Sequence, residues 1–504
     1  MNRRTFIHTA GAAGLGLTSR LGMSEPGGSV DMLLKLLEDS PRERVPRELA
    51  RLIRDGLPYE DLLVALSLAA TRNVQPYPDV GFKYHAVMVL RAIHSATQAL
   101  VADEKWLPLV WAADYFKETQ VQERAASGWR MPTPSAAATA GANAEAARRA
   151  LVTALDKWDR EAADVAIVRY TRSASTDDVF SVLFHYGSRD LREIGHKAIT
   201  VSNAHSLVKL FGTGGQQAEP ILRSTVAALV NSEGEPDPAT HDHREDRPGR
   251  LNRERLHQIP RSWKQGHDDP SARMDLRAAL YHVSADDGGK VIVEMLQKGL
   301  APDALWQVLF DTSAELLMHQ PGIVSLHSQT TANALHYAYR TSDDEQTQQL
   351  ALLQCASFVA MFREMTNTAA ADFNLQKLQP VQPVQPVQPS QPPAGPQATA
   401  APPLEEVFAD LSARRREQAA QKSLAYLNSG GDAGSLIAAA RHHLVYGAVE
   451  AHDYKFAEAV FDNYAQFSDA AWRSRFLSAG MAYFKAPTQR PVPIVAETLE
   501  LLRT

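Results

Sequence analysis

The chain has 504 residues, 44% apolar and 22% charged, an ordinary globular composition with length for about two to four domain-sized units. Lys and Arg number 52 against 58 Asp and Glu, a formal net charge of −6, so no basic field concentrates nucleic acid and a nucleic-acid partner is not expected. A single cysteine, Cys355, excludes an intrachain disulfide and thiolate clusters, so any metal would have to be held by His, Asp, Glu or something unusual.

At the N-terminus residues 2–7 read Asn-Arg-Arg-Thr-Phe-Ile. An apolar Gly/Ala/Leu run from Ala10 to Leu17 follows, too short to span a bilayer, with no acidic residue before Glu25. The segment resembles a twin-arginine (Tat) export signal. Arg3, Arg4, Phe6 and Ile7 fit its core, while Asn2 and His8 replace the commoner Ser and Lys. The resemblance implies a signal peptide over 1–29, passage of an already folded chain through the Tat translocon, and a periplasmic or extracellular destination. No later stretch reaches 18 apolar residues, so no integral membrane segment is expected in the mature chain.

From Val30 onward the apolar residues recur at helical spacing, as in Leu62–Ala70 after the cap candidate Asp61, around Met88-Val89-Leu90 and over Leu350–Leu353. Alternating Val/Ile/Thr runs bounded by Asn-Gly turns are absent. The reading is an all-α protein, a large multi-helix bundle with its main domain over 30–378. Loops are expected at 127–146 and at 232–272, the second long enough for a lid or a partly disordered excursion. Residues 379–403, rich in PVQ repeats, form a Pro/Gln-rich linker of extended, polyproline-like chain. The segment 404–504 shows helical patterns at Leu404–Leu427, Leu436–Ala448 and Phe456–Phe467. These are few for an independent core, so it is expected to fold back and complete the main domain.

Of 17 histidines, eight form four pairs nine residues apart: His85/His94, His196/His205, His327/His336 and His443/His452. Random placement yields about half of one such pair. Nine helical steps of about 100° put the two rings on opposite faces, so only one of each pair can face a common centre. His85 shares its face with Met88, Val89, Ala92 and Ala96. His327 lines up with Thr330, Thr331, Ala334 and Ala338, small residues that let helices approach. His452 shares a broad face with His442, Val445, Val449 and Phe456, and Lys455 is its neighbour at i+3. Between His196 and His205 the pattern shows no clear winner; Ile199 and Leu207 favour His196. Four imidazoles from four helices suit iron, copper or zinc. The remaining histidines, including His241 and His243 in the expected loop and His257, His267 and His282, read as solvated polar residues.

Three of these segments resemble a family. Residues 325–340, SLHSQTTANALHYAYR, residues 84–93, YHAVMVLRAI, and residues 451–459, AHDYKFAEA, are similar to helical segments of the questin oxidase-like proteins, over about a tenth of the chain. The resemblance implies an all-helical fold, oxidative opening of quinone rings, and a mononuclear iron held by histidines and a carboxylated lysine. It places ligands at His85, His327, His452 and Lys455, with a looser match at His196. A lysine in a dry pocket loses its proton readily, and its neutral amine can add CO₂ to become an anionic oxygen ligand. The Tat-like signal, the PVQ linker and the 232–272 segment depart from the pattern of the fungal members.

No hydrolase nucleophile elbow, phosphate-binding loop or dinucleotide fingerprint stands in a suitable context. The leading expectation is an exported iron oxygenase with His85, His196, His327, His452 and Lys455 as ligands, acting on an aromatic or quinone-like small molecule. The alternatives are a non-catalytic helical scaffold or binding protein, in which Trp106, Trp111, Trp129 and Trp306 are packing residues, and a zinc metallohydrolase using the same histidines.

Overall fold

Short polar signals start many of the helices. Ser175 and Asp178 form a reciprocal capping box before Thr176–Gly187. Asp269, Asp432 and Asp469 accept first-turn N–H groups of Pro270–Leu280, Ala433–Gly447 and Ala470–Ala479, and proline stands in the first turn at Pro270, Pro302 and Pro493. Each device satisfies, or dispenses with, an N–H that has no partner inside the helix.

The computed structural model describes residues 28–76, 82–101, 104–135, 143–211, 218–230, 237–366 and 402–504, with Gly141 and Leu378. The all-α expectation holds: among the described residues there are helices, turns and one isolated bridge between His267 and Leu300, with no strand. No helix among them is long and apolar enough to cross a membrane. The Tat-like segment and nearly all of the PVQ tract lie outside the described residues.

One apolar cluster runs from Val30 in the first helix to Val495 in the last. It takes in Phe408, Leu424, Tyr454 and Phe476 from beyond the PVQ tract, so the C-terminal helices share a core with the helices before it. A second cluster joins the helices between Ala144 and Leu229, centred on Leu151, Ile167, Leu183 and Leu222.

Several expected boundaries move. The segment 232–272 is not one long loop: Arg247–Arg255 is helical, short 3-10 turns follow at Leu256–Gln258 and Trp263–Gln265, and a new helix starts at Pro270. It is tied down by the buried pair of Arg192 and Asp246, 2.6 Å apart, and by Asn252, whose amide donates to Gln354 Oε1 and Ser357 Oγ. Polar composition hid this, because the anchoring groups are themselves polar. The Leu404–Leu427 pattern is two helices, Leu404–Ser412 and Arg416–Asn428, divided where Arg414 takes φ +60°. The last patterned helix begins at Ala451 rather than Phe456.

Candidate metal centre

Three of the four histidines stand at the start of a helix. His85 opens His85–Met88, which continues after a break at Val89 as Leu90–Thr97. His196 opens His196–Leu210, and His452 is the second residue of Ala451–Tyr464. His327 lies one turn into Ile323–Thr341.

The chain reaches His196 through three successive left-handed residues, Glu193 (φ 54°), Ile194 (φ 49°) and Gly195 (φ 86°). That conformation is costly for a β-branched residue and needs support from its surroundings. Thr331 provides it by donating its hydroxyl to the Ile194 carbonyl at 3.1 Å. His452 is placed by a break that the sequence pattern does not reveal. The preceding helix ends at Gly447, and Asp453 Oδ2 accepts the Val449 and Glu450 amides to start the next. His442 and Val449 are exposed, so they share no inward face with His452. The inward face expected for His452 is therefore not the one that buries it.

These elements bring His85, His196, His327 and His452 together, all buried, with one ring nitrogen from each lying within 4.8 Å of the others. His196 Nε2 stands 3.3 Å from His85 Nε2 and 3.1 Å from His327 Nε2. The His452 ring centroid is 4.3 Å from that of His85 and 5.1 Å from that of His327. Ligands about 2.1 Å from one ion stand roughly 3 Å apart when adjacent and about 4.2 Å apart when opposite. The cluster has that scale.

Outer contacts turn the rings inward. His327 Nδ1 donates to the Ile323 carbonyl at 2.6 Å, which leaves Nε2 as a lone pair facing the cluster. His196 is hydrogen-bonded to the Glu193 backbone. His452 Nδ1 faces the Glu450 carboxylate at 3.7 Å, while its Nε2 has no hydrogen-bond partner. Burial, and then the charge of nearby Lys455, push the His327 imidazole down to about 3 and that of His452 to about 2. The same two causes hold His85 and His196 well below the ordinary histidine value. All four are neutral donors at neutral pH.

Lys455 completes the group. It is buried, its Nζ has no partner, and burial lowers it to about 7. A partnerless amine and a partnerless imidazole nitrogen in one buried site are costly unless something binds there. Four neutral nitrogen lone pairs, with room for one further donor, therefore fit a mononuclear metal.

The four helices also share a register. Each packs on the next in the order Leu90–Thr97, His196–Leu210, Ile323–Thr341 and Ala451–Tyr464, and the last returns to the first. Three residues beyond each histidine stand Met88, Ile199, Thr330 and Lys455; six beyond stand Arg91, Ser202, Asn333 and Glu458; all eight border one small cavity. Matching offsets at matching depth mean that the helices leave the cluster in the same direction, and Lys455 is the single charged group in the layer above the imidazoles.

No family model, curated protein or solved structure matches this chain.

The partners at the nine-residue spacing lie outside the cluster. His205 meets Tyr337 Oη at 2.9 Å and packs edge-on against Phe180. His94 meets Tyr59 Oη at 3.0 Å, His336 packs against Trp306 and Phe310, and His443 packs against Phe408. His241 and His243 lie partly exposed with ring centroids 3.8 Å apart. Glu450 was missed; an acidic residue three before Asp453, ahead of an apolar run, is the capping signal that could have revealed it.

Proposed function

We propose that the chain is a mononuclear iron oxygenase, exported through the Tat translocon and acting on an aromatic or quinone-like small molecule. His85, His196, His327 and His452 are its imidazole ligands, and Lys455 supplies an anionic ligand after carboxylation. The observation that carries the reading is the convergence of four neutral, buried imidazoles beside a partnerless buried amine. The resemblance of the three histidine segments to the questin oxidase-like proteins supports iron and a quinone-like substrate; the N-terminal twin-arginine pattern supports export.

Iron, when bound, supplies the one-electron chemistry that lets dioxygen react with a closed-shell organic molecule. The chain's own groups prepare the site. The Ile323 carbonyl fixes the His327 ring from outside, and the Glu450 carboxylate stands behind the His452 ring. The Lys455 amine, neutral in a large fraction of molecules near pH 7, attacks the carbon of CO₂. A C–O π pair moves to oxygen and the nitrogen gives up a proton to water, leaving a carbamate. The adjoining cavity, about 30 Å³, holds one or two waters, so an aromatic ring enters only when its walls part.

Elemental analysis of untagged protein tests the proposal, comparing wild type with His327→Ala and Lys455→Ala. About one iron per chain, lost in both variants, is expected. Stoichiometric zinc points instead to a metallohydrolase, and a folded chain without metal to a helical scaffold.

A further inference from the structure

Along Ala451–Tyr464 one side chain per turn runs from the cluster to the surface: His452, Lys455, Glu458 and Asp462. At 1.5 Å per residue this stripe is about 15 Å long. The small cavity follows it, from Lys455 out to Arg91 and Asp462. Beside those two residues lies a second cleft of about 260 Å³, rimmed by Arg340 and Gln466. Arg91, Asn333 and Asp462 border both spaces. Between the two spaces stands one ion pair, Arg91 to Asp462 at 2.5 Å, with Arg91 also donating to Asn333 Oδ1 at 3.2 Å and lying over the Tyr337 ring.

We propose that small molecules reach the histidine cluster by this shaft, that the Arg91–Asp462 pair is its door, and that its bore selects linear molecules of two or three heavy atoms such as dioxygen, carbon dioxide or cyanate. The inference rests on the cluster with Lys455 being the working centre, but not on which metal it holds. Two features separate the shaft from ordinary core. The polar residues Ser95, Ser202, Asn203 and Thr330 border it, where close packing alone would favour apolar groups. The door also lies near the surface: the Asp462 side chain is 39% exposed and that of Arg91 18%, and the nearer a pair is to water the less it is worth.

The test reads access to Lys455 directly. Full-length protein is dialysed against chelator in CO₂-free buffer and exposed to cyanate, which adds to an unprotonated amine. The Nζ lone pair bonds to the carbon of HNCO and a proton passes to the cyanate nitrogen, with no leaving group. Peptide mass spectrometry follows Lys455, with Lys197 as reference, since that amine is equally buried but held by Asp190 at 3.1 Å. In wild type, Lys455 is expected to react faster than Lys197. Arg91→Ala and the shape-conserving Asp462→Asn raise the Lys455 rate about five-fold, as loss of one partly exposed pair allows, with Lys197 unchanged. Ala459→Val, which narrows the bore, lowers it.

Equal Lys455 rates in all variants, an unreactive Lys455 throughout, or a parallel rise at Lys197 overturns the route. Metal content is measured separately: a chain without metal that shows the expected pattern keeps the route and loses the oxygenase, and an iron-bound chain with invariant rates does the reverse.

Discussion

Thr331 fills the space that a side chain on Gly195 would need, and its hydroxyl holds the carbonyl of Ile194. One residue on Ile323–Thr341 thus fixes the left-handed turn that delivers His196. Gly195→Ala meets both a positive φ and the Thr331 side chain, so a loss of at least about 3 kcal/mol is expected in urea unfolding, together with loss of bound metal. Gly56→Ala provides the comparison. There φ is +93° but nothing lies within 4 Å of the added carbon, so the cost is only about 1 kcal/mol and metal content is unchanged.

Glu450 faces His452 Nδ1 and also accepts an amide at the start of the helix. Glu450→Gln keeps an oxygen for the amide and removes the charge behind the imidazole. Metal affinity is expected to fall about ten-fold with little change in melting temperature, since groups behind ligating histidines act chiefly on ligand orientation and basicity. Competition with a chromogenic chelator measures it; unchanged affinity would remove Glu450 from the centre.

Lys455 works against the stability of the metal-free fold. Its amine, ordinarily at 10.5, is lowered to about 7 by burial, so folding at neutral pH must strip off a proton that the unfolded chain keeps. Lys455→Met is expected to stabilise the metal-free protein by at least about 2 kcal/mol at pH 7 while abolishing metal binding. A variant less stable than wild type would show that Lys455 has an unrecognised partner.

The buried imidazoles make the metal-free protein acid-labile. Their folded-state values lie below the ordinary 6.5, about 3 for His327 and about 2 for His452. As pH falls through 6.5 the unfolded chain gains protons that the folded chain refuses, and stability declines until pH nears the folded values. At pH 5 each such imidazole removes about 2 kcal/mol. His336 and His205, lowered to about 3 and about 4 by burial, add to the decline. Urea unfolding at pH 7.5 and pH 5 is expected to show it, with His327→Gln reducing the difference by about one such increment. An equal difference in that variant would mean that His327 is not buried neutral.

The helical class was legible because Leu, Ala and Val recur at helical spacing nearly everywhere. The choice of His85 and His327 was legible from their neighbours, apolar Met88, Val89 and Ala92 for one and small Thr330, Thr331 and Ala334 for the other, all of them buried. His196 was not, because the strained turn before it leaves only a glycine as a mark. His452 lies in the cluster, although the helix break at Ala448–Glu450 removes the face the pattern assigns to it. Reading the histidines as pairs nine apart also hid the stronger regularity, the shared register at three and six residues beyond each ligand. That register involves residues as unlike as Met88 and Lys455, and only their common depth relates them.

The parallel arrangement of the four helices sets when the centre can first exist. Adjacent helices that run the same way cannot be joined by tight turns, and the histidines of the first three are 111 and 131 residues apart in sequence. A growing polypeptide that has not yet made Ala451–Tyr464 presents three imidazoles around a gap, with Lys455 still to be synthesised. The full set of candidate ligands therefore exists only in the finished chain.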